Sequence, residues 1–504
     1  MQHNSNPIVR LLGYTSIIAF GSLISAGIGF LITAIIVRNF GIEKYGMLIL
    51  MLTLSVNRGF MSLFDFGMKQ AVSKRIAQHA PKKQWKDINK IITVGLVLSL
   101  VTGGFLSVIT INLNISSMSG IDNYETYIVF FSMLKLFFLS YAIQYVNNIF
   151  LGIFEGFQRY DISKGIEVFS QIIQLACISL LVYFNWTFDY IVLIYLGIYL
   201  AIFILNIVIL KSIFPNWRLT LNVSVYELNK VYQMLKYLFP LQSSSLIFNH
   251  YPKLLILFFL DFSALGVYDI VARIPKFFKT LSGFISAAFM PISSEMYSFG
   301  KNKEIGQMYK YGFRVNIYLM TPILSAGVFF ASEIYQLWVG SSQYSGYMQI
   351  FMVWNFLVPY VTFGGPLLIG MNRELRFMRN VSWIITIISI SISVLLIQKL
   401  EIVGLIYGYL AGFIILPYVF WKYTKIFNIS IISVLKNNVL VYSCVLFPFS
   451  VFSIFVVKIS MVSIISAIVI WCLLYWIAIY ILIVDNNEKR IVSQVLEKFL
   501  KKVW

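Results

Sequence analysis

The stretch that decides the fold class is residues 11–37, LLGYTSIIAFGSLISAGIGFLITAIIV, which contains no charged side chain. An α-helix needs about 20 apolar residues to cross about 30 Å of hydrocarbon, and this stretch exceeds that length. Residues 191–210 and 461–484 form similar apolar runs. Lipid offers the backbone no hydrogen-bond partners, so only helices and closed barrels span a bilayer, and barrel strands alternate over about 10 residues. The sequence therefore predicts an all-α polytopic integral membrane protein.

The composition supports that class over the whole chain. Of its 504 residues, 59% are hydrophobic and 12% are charged, whereas soluble domains carry about 45–50% apolar and about 25% charged residues. The three cysteines, Cys177, Cys444 and Cys472, lie inside apolar runs without metal-ligand spacing, which is typical of small buried residues. The first apolar run is too long for the core of a signal peptide and is expected to remain as the first helix.

Fourteen apolar stretches can be placed along the chain, separated by polar connections. They cover residues 11–37, 45–65, 91–112, 125–151, 166–184, 190–210, 236–260, 264–292, 315–336, 345–370, 380–397, 402–421, 438–457 and 461–484. Most of the 39 Lys and Arg residues fall on alternate connections and on the C-terminal tail. Because cytoplasmic loops carry the Lys and Arg excess, this alternation predicts an even number of spans with both termini in the cytoplasm. The net charge of +19 is assigned to this topology and not to nucleic-acid binding.

An internal similarity suggests how the spans are grouped. Gly46 in FGIEKYGML and Gly266 in LDFSALGVY align at an offset of about 220 residues, which superposes span 1 on span 7. We therefore predict two six-helix lobes around a central cavity and two extra C-terminal helices. The predicted divisions are an N-lobe at 1–211, a C-lobe at 212–430, the extra helix pair at 431–484 and an amphipathic cytoplasmic tail at 485–504.

Charged side chains inside the predicted spans are the feature most informative about function. A charge near the centre of a span costs several kcal/mol unless it faces a cavity or a partner. In span 8, Asp269, Arg273 and Lys276 are spaced i, i+4 and i+7 and so share one helix face. Cations outnumber carboxylates, so we expect a basic cavity that binds an anion, with phosphate or diphosphate as the best candidate because Arg binds it in bidentate fashion. The basic residues expected to bind substrate are Arg58, Lys135, Lys253, Arg273, Lys276 and Lys279.

Simpler interpretations of these charges remain open. Arg58 and Lys279 are long enough to extend to the membrane interface, and Asp269 can pair with Arg273 on the same helix. The sequence contains no P-loop, H-E-x-x-H or G-x-S-x-G motif. We therefore expect no enzymatic activity, no catalytic residues, no cofactor, no metal site and no nucleic-acid partner.

Three groups of residues resemble a known family. Residues 38–46, RNFGIEKYG, resemble the R-x-L-G-x-x-x-[FY]-G signature of Wzx-type polysaccharide and O-antigen flippases, with Phe40 in place of the usual Leu. Residues 63–67, LFDFG, resemble the L-x-D-x-G at the end of span 2 in that family, and residues 266–268, Ala272-Arg273 and Pro291 resemble its span-8 run. The fourteen-span layout is similar along the whole chain. The resemblance is to the polysaccharide transport family of the multidrug/oligosaccharidyl-lipid/polysaccharide exporter superfamily.

This resemblance implies a function. Such proteins move an undecaprenyl-diphosphate-linked oligosaccharide repeat unit from the cytoplasmic to the outer leaflet of the bacterial cytoplasmic (inner) membrane, for O-antigen, capsule or exopolysaccharide assembly. The implied partners are the lipid-linked oligosaccharide and membrane lipids, together with polysaccharide polymerase and chain-length proteins. Arg38, Asp65 and Asp269 are interpreted as gate or coupling residues, and alternating access of the cavity would carry the headgroup across.

Two competing functions are weighed against the flippase. A cation-coupled multidrug exporter of the same superfamily should carry carboxylates at mid-depth, whereas the mid-depth charges here are basic. A membrane-embedded glycosyltransferase or polymerase needs catalytic residues in a large outer loop, and every predicted outer connection is short.

Overall fold

A computed structural model describes residues 7–56, 59–112, 124–218, 243–287, 289–432 and 461–482. Every regular element within these ranges is a helix, so the predicted all-α fold class is confirmed. Three sequence predictions fall outside the described residues: Arg58, span 13 at 438–457 and the amphipathic tail at 485–504.

The helices follow one another with short connections. They are α1 Pro7–Thr53, α2 Met68–His79, α3 Trp85–Asn112, α4 Tyr124–Leu139, α5 Tyr141–Gly156, α6 Tyr160–Tyr183, α7 Tyr190–Ile213, α8 at 243–259, α9 Phe262–Ala287, α10 Met290–Ser298, α11 Asn302–Phe329, α12 Ala331–Val339, α13 Ser345–Asn355, α14 Pro359–Thr362, α15 Gly364–Gly370, α16 Leu375–Ala411, α17 Leu416–Ile426 and α18 Met461–Leu482. Single 3-10 turns lie at Phe60–Asp65 and Gly412–Ile415.

Five continuous helical stretches in the described ranges are long and apolar enough to cross a membrane. They are Ile17–Thr53, Trp85–Asn112, Tyr160–Tyr183, Tyr190–Ile213 and Leu375–Ile426. Two bent pairs, α4 with α5 and α11 with α12, would raise the number to seven if each is one span. The sequence-based count of fourteen spans stays a prediction.

Several predicted spans are interrupted in the structure. α1 covers span 1 and the beginning of span 2, with a break at Gly41, whose φ of 85° is accessible to glycine without strain. Span 4 bends by 47° between α4 and α5, and span 9 bends by 76° between α11 and α12. Span 10, predicted at 345–370, is divided into α13, α14 and α15. Proline at the start of α14 has no N–H to continue a preceding helix, which explains one of these divisions.

The chain forms two compact units. Unit 1 comprises Met1–Ile270 and Ser382–Gly412, and unit 2 comprises Val271–Val381 and Phe413–Trp504. These units are defined by packing and do not test the division into lobes at 211 and 430, which stays a prediction.

Unit 1 is built around a core of aliphatic and aromatic side chains from α2, α3, α5, α6 and α7. Val72, Ile92, Ile149 and Phe154 are among its members, each no more than 1% exposed. The opposite side of α3 exposes Leu100, Val101, Phe105 and Val108. Exposure of such a row of apolar side chains to water is unfavourable, and the row is expected where a helix faces lipid.

Unit 2 has its own core. Phe313, Ile317 and Phe330 of α11 and its C-terminus pack with Phe420 of α17 and Trp471 of α18. The Tyr475 hydroxyl donates a hydrogen bond to the Tyr318 carbonyl at 3.1 Å, which fixes α18 against α11. Each unit therefore buries apolar surface within itself.

Candidate functional site

The carboxylate of Asp269 in unit 1 is 7% exposed and has partners on other helices. Lys253 Nζ lies 2.6 Å from Asp269 Oδ1, and the Tyr45 hydroxyl donates to Asp269 Oδ2 at 2.6 Å. Thr33 Oγ1 lies 3.3 Å from the Tyr45 hydroxyl. We call these four residues the Asp269 cluster. A buried carboxylate is stable as an anion when it is paired and hydrogen-bonded in this way.

Four helical segments supply the Asp269 cluster. Thr33 lies in the first part of α1 and Tyr45 in the second part, after the break at Gly41. Lys253 comes from α8 and Asp269 from α9. Because Tyr45 and Asp269 are separated by 224 positions, their hydrogen bond joins the first helix of the chain to α9.

Two glycines bring these helices together beside the cluster. A Cβ added at Gly46 would collide with the Phe262 carbonyl, and one added at Gly266 would collide with the Ile42 carbonyl. The contact between α1 and α9 therefore requires glycine on both sides. Gly46 and Gly266 are the two positions that the internal similarity aligned, and in the structure they face one another.

A second buried carboxylate, Asp65, lies after the apolar part of α1, at the end of the 3-10 turn that precedes α2. It is 7% exposed and accepts a hydrogen bond at 3.3 Å from the backbone N–H of Lys69. Gly67, with φ 87°, begins α2, so the L-x-D-x-G residues form a helix cap.

The ammonium of Lys69 binds a different carboxylate. Lys69 Nζ lies 2.8 Å from Glu155 Oε1 of α5, and Ser163 Oγ of α6 donates to the same oxygen at 3.1 Å. Asp65, Lys69, Glu155 and Ser163 form what we call the Asp65 cluster. This cluster connects α2, α5 and α6 within unit 1.

The second half of α9 carries three of the basic residues predicted to bind substrate. Arg273, Lys276 and Lys279 are partly exposed, and Lys279 Nζ lies 5.7 Å from the centre of the Phe413 ring, within the range of a cation–π contact. Asp269 is the only acidic residue in the α9 sequence. The helix therefore has an excess of positive charge after its single acid, and that acid already contacts Lys253.

Two of the other predicted residues, Lys135 and Arg38, belong to neither cluster, whereas Lys253 is a member of the Asp269 cluster. Lys135 is exposed on α4, and Arg38 is exposed on α1 just before Gly41. Lys253, predicted as a substrate ligand, forms the ion pair with Asp269, and its side chain is 14% exposed. The assignment of Arg38, Lys135 and Lys253 to substrate or gate remains a prediction.

Sequence reasoning missed Tyr45, Lys69 and Glu155. A signal existed for Tyr45, because the aromatic position of the R-x-L-G-x-x-x-[FY]-G signature was recognised without a role for its hydroxyl. Nothing in the local sequence pairs Lys69 with Glu155, which lies three helices later in the chain. Within the described ranges, no group of three or more His, Cys, Asp and Glu side chains is arranged to hold a metal ion.

Comparisons with solved structures show the fold. The chain is similar to the lipid II flippase MurJ in an inward closed conformation, with a TM-score of 0.70, 13% identity and coverage of 92% of this chain and 98% of that chain. It is also similar to an inward-facing multidrug resistance MATE family transporter of the MOP superfamily, with a TM-score of 0.67, 15% identity and coverage of 80% and 94%. An outward-facing MATE family transporter matches with a TM-score of 0.59, 15% identity and coverage of 84% and 96%. The chain thus has the fold of this superfamily of membrane transporters.

A comparison with protein families identifies the family directly. No curated protein sequence matches this chain. Residues 11–297, more than half of the chain, match the family described as Polysaccharide biosynthesis protein. That match includes the Asp269 cluster, the Asp65 cluster and all of α9. The chain therefore belongs to the polysaccharide biosynthesis protein family.

Proposed function

We propose that this protein is a flippase that moves an undecaprenyl-diphosphate-linked oligosaccharide repeat unit from the cytoplasmic to the outer leaflet of a bacterial cytoplasmic membrane. The observation that carries the proposal is the charge of α9. Arg273, Lys276 and Lys279 follow a single acid, Asp269, and Asp269 is bound to Lys253 of α8. An excess of cations on a helix of a membrane protein favours an anionic ligand.

A diphosphate fits this set of side chains. The guanidinium of Arg273 can donate two parallel hydrogen bonds to one phosphate, while Lys276 and Lys279 supply mobile point charges. A headgroup bound in this way exchanges its hydration for charged hydrogen bonds, and the polyprenyl chain stays in lipid. No bond needs to form or break, so the step is transport and not catalysis.

The family and fold support transport in polysaccharide biosynthesis, and the finer assignments are part of our proposal. MurJ is described as a lipid II flippase, and we extend lipid-linked saccharide transport to this chain with O-antigen, capsule or exopolysaccharide precursors as the cargo. Membrane lipids are further partners, and polysaccharide polymerase and chain-length proteins would use the product. Alternating access of a basic cavity is the proposed mechanism.

The test is complementation of a strain that lacks the gene. We expect loss of surface polysaccharide and accumulation of lipid-linked repeat units, both reversed by the parent chain. Arg273→Ala and Lys135→Ala should fail to restore the polymer at normal expression. Lys82→Ala is the matched control, because Lys82 is exposed in the connection between α2 and α3 and is not predicted to bind substrate.

Other outcomes point to the competing functions. A normal amount of surface polysaccharide in the deletion strain, together with altered sensitivity to cationic drugs, would indicate a multidrug exporter and contradict the flippase. Accumulation of single repeat units already in the outer leaflet would instead indicate a defect in polymerisation.

A further inference from the structure

The position of Lys253 has a consequence for how transport is controlled. Its ammonium is one of the basic groups proposed to meet the diphosphate, yet it binds Asp269 at 2.6 Å, with the two side chains 14% and 10% exposed. The carboxylate of Asp269 and a phosphate would both accept hydrogen bonds from the same ammonium. Binding of the diphosphate therefore competes with the Lys253–Asp269 contact.

The Lys253–Asp269 contact also holds a helix junction. Asp269 accepts the Tyr45 hydroxyl at 2.6 Å, and Tyr45 adjoins Gly46, where α1 and α9 approach through backbone atoms. If Lys253 leaves, Asp269 is left as a buried carboxylate without that cation, which is strongly destabilising in a low-dielectric environment. The junction of α1 with α8 and α9 then loses the ion pair between Lys253 and Asp269.

We propose that the Asp269 cluster is a latch that the diphosphate of the substrate opens by taking Lys253 from Asp269. Tyr45 is a positioning residue that holds the carboxylate in reach of Lys253 and ties it to α1. The latch lies in the part of unit 1 predicted to face outward, because α8 and α9 meet at residues 260–261, an outer connection in the predicted topology. The inference rests on the proposed function for the identity of the ligand.

The experiment measures access to the helix junction. Leu265 of α9 is fully buried, so Leu265→Cys reports opening when Cys177, Cys444 and Cys472 are replaced by Ala in the full-length chain. A membrane-impermeant maleimide is added outside to spheroplasts, and the extent of labelling is read on purified protein. Asp261→Cys, at an exposed position of the α8–α9 connection, gives the labelling of an open site.

Farnesyl diphosphate is the probe, and farnesol is its matched control without phosphate. We expect labelling at Leu265→Cys to be slow, to rise about fivefold or more with farnesyl diphosphate, and to stay unchanged with farnesol. Lys253→Met should give fast labelling without the probe and no further response. Tyr45→Phe removes only the hydroxyl that donates to Asp269 and should give a smaller rise in labelling without the probe. Lys253→Arg keeps a cation at this position and should restore slow labelling.

Two results would overturn the latch. One is slow labelling that does not respond to farnesyl diphosphate in the parent chain. The other is a normal response in Lys253→Met protein that elutes as a single species. These results are independent of the proposed function, because loss of surface polysaccharide on gene deletion is measured separately. A deletion strain that keeps its polysaccharide would contradict the flippase function. A helix junction that stays closed and does not respond to the probe would contradict only the latch.

Discussion

Two aspartates are buried to the same extent in unit 1, at 7% exposure each, and their surroundings differ. Asp269 is bound by a lysine and a tyrosine, each at 2.6 Å, and both come from other helices. Asp65 accepts a backbone N–H at 3.3 Å from the helix that follows it, and the nearby lysine ammonium binds Glu155 instead. Equal burial is thus combined with different partners: side chains from other helices at Asp269, and a backbone N–H at Asp65.

The difference shows what each motif does. Asp65 acts locally. Its carboxylate accepts the Lys69 N–H in the first turn of α2, and Gly67 lies immediately before that helix. Asp269 acts between distant parts of the sequence, because its side-chain contacts join α9 to α1 and α8. A change that separates cation from carboxylate should thus be severe at Asp269 and mild in the Asp65 cluster.

The largest effect is expected from Lys253→Met. It removes the Lys253 ammonium from the buried Asp269 carboxylate, so the free energy of unfolding should fall by about 3–5 kcal/mol. Thermal unfolding of detergent-purified protein, followed by size-exclusion chromatography, measures the loss. The double variant Lys253→Met/Asp269→Asn should recover a large part of it, and equal stability of parent and single variant would contradict the assigned ion pair.

A moderate effect is expected from Gly46→Ala. The added methyl collides with the Phe262 carbonyl, so we expect a loss of about 1–3 kcal/mol. Gly104→Ala is the matched control, because a Cβ there meets no atom within 4 Å, and its stability should be unchanged or slightly higher. If both variants unfolded at the parental temperature, the close approach of α1 and α9 would not hold.

The smallest effect is expected from Glu155→Gln. The Lys69–Glu155 pair is about a quarter exposed on each side, and such pairs contribute below about 1 kcal/mol. The amide can still accept the Ser163 hydrogen bond, which limits the loss further. A destabilisation as large as that of Lys253→Met would erase the contrast between the two clusters.

The class of fold and the charged residues of α9 could be predicted from sequence because both depend on local patterns. Uninterrupted apolar stretches specify membrane helices, and the spacing of Asp269, Arg273 and Lys276 places them on one helix. The break at Gly41 and the cap at Asp65 also had local signals in their motifs.

The partners of Asp269 could not be predicted in the same way. The helical spacing indicated Arg273, four residues away, as one possible partner, but it gave no signal for Lys253 and Tyr45, which come from other helices. Which helices meet depends on packing over 224 positions, and periodicity carries no information about it. The bends of 47° and 76° within spans 4 and 9 likewise had no signal in the apolar pattern of the sequence.

The central claim is that this protein moves a lipid-linked diphosphate across the bilayer and that basic residues of α9 bind the diphosphate. Reconstitution tests this claim most directly. Purified full-length chain is placed in liposomes with a fluorescent polyprenyl-diphosphate disaccharide, and the fraction open to a lectin outside is followed over time. We predict that access rises from about half to nearly complete, that Arg273→Ala slows the rise at least tenfold, and that Lys82→Ala does not. Equal rates for parent and Arg273→Ala, or equal transport of a disaccharide on polyprenol without phosphate, would contradict the claim.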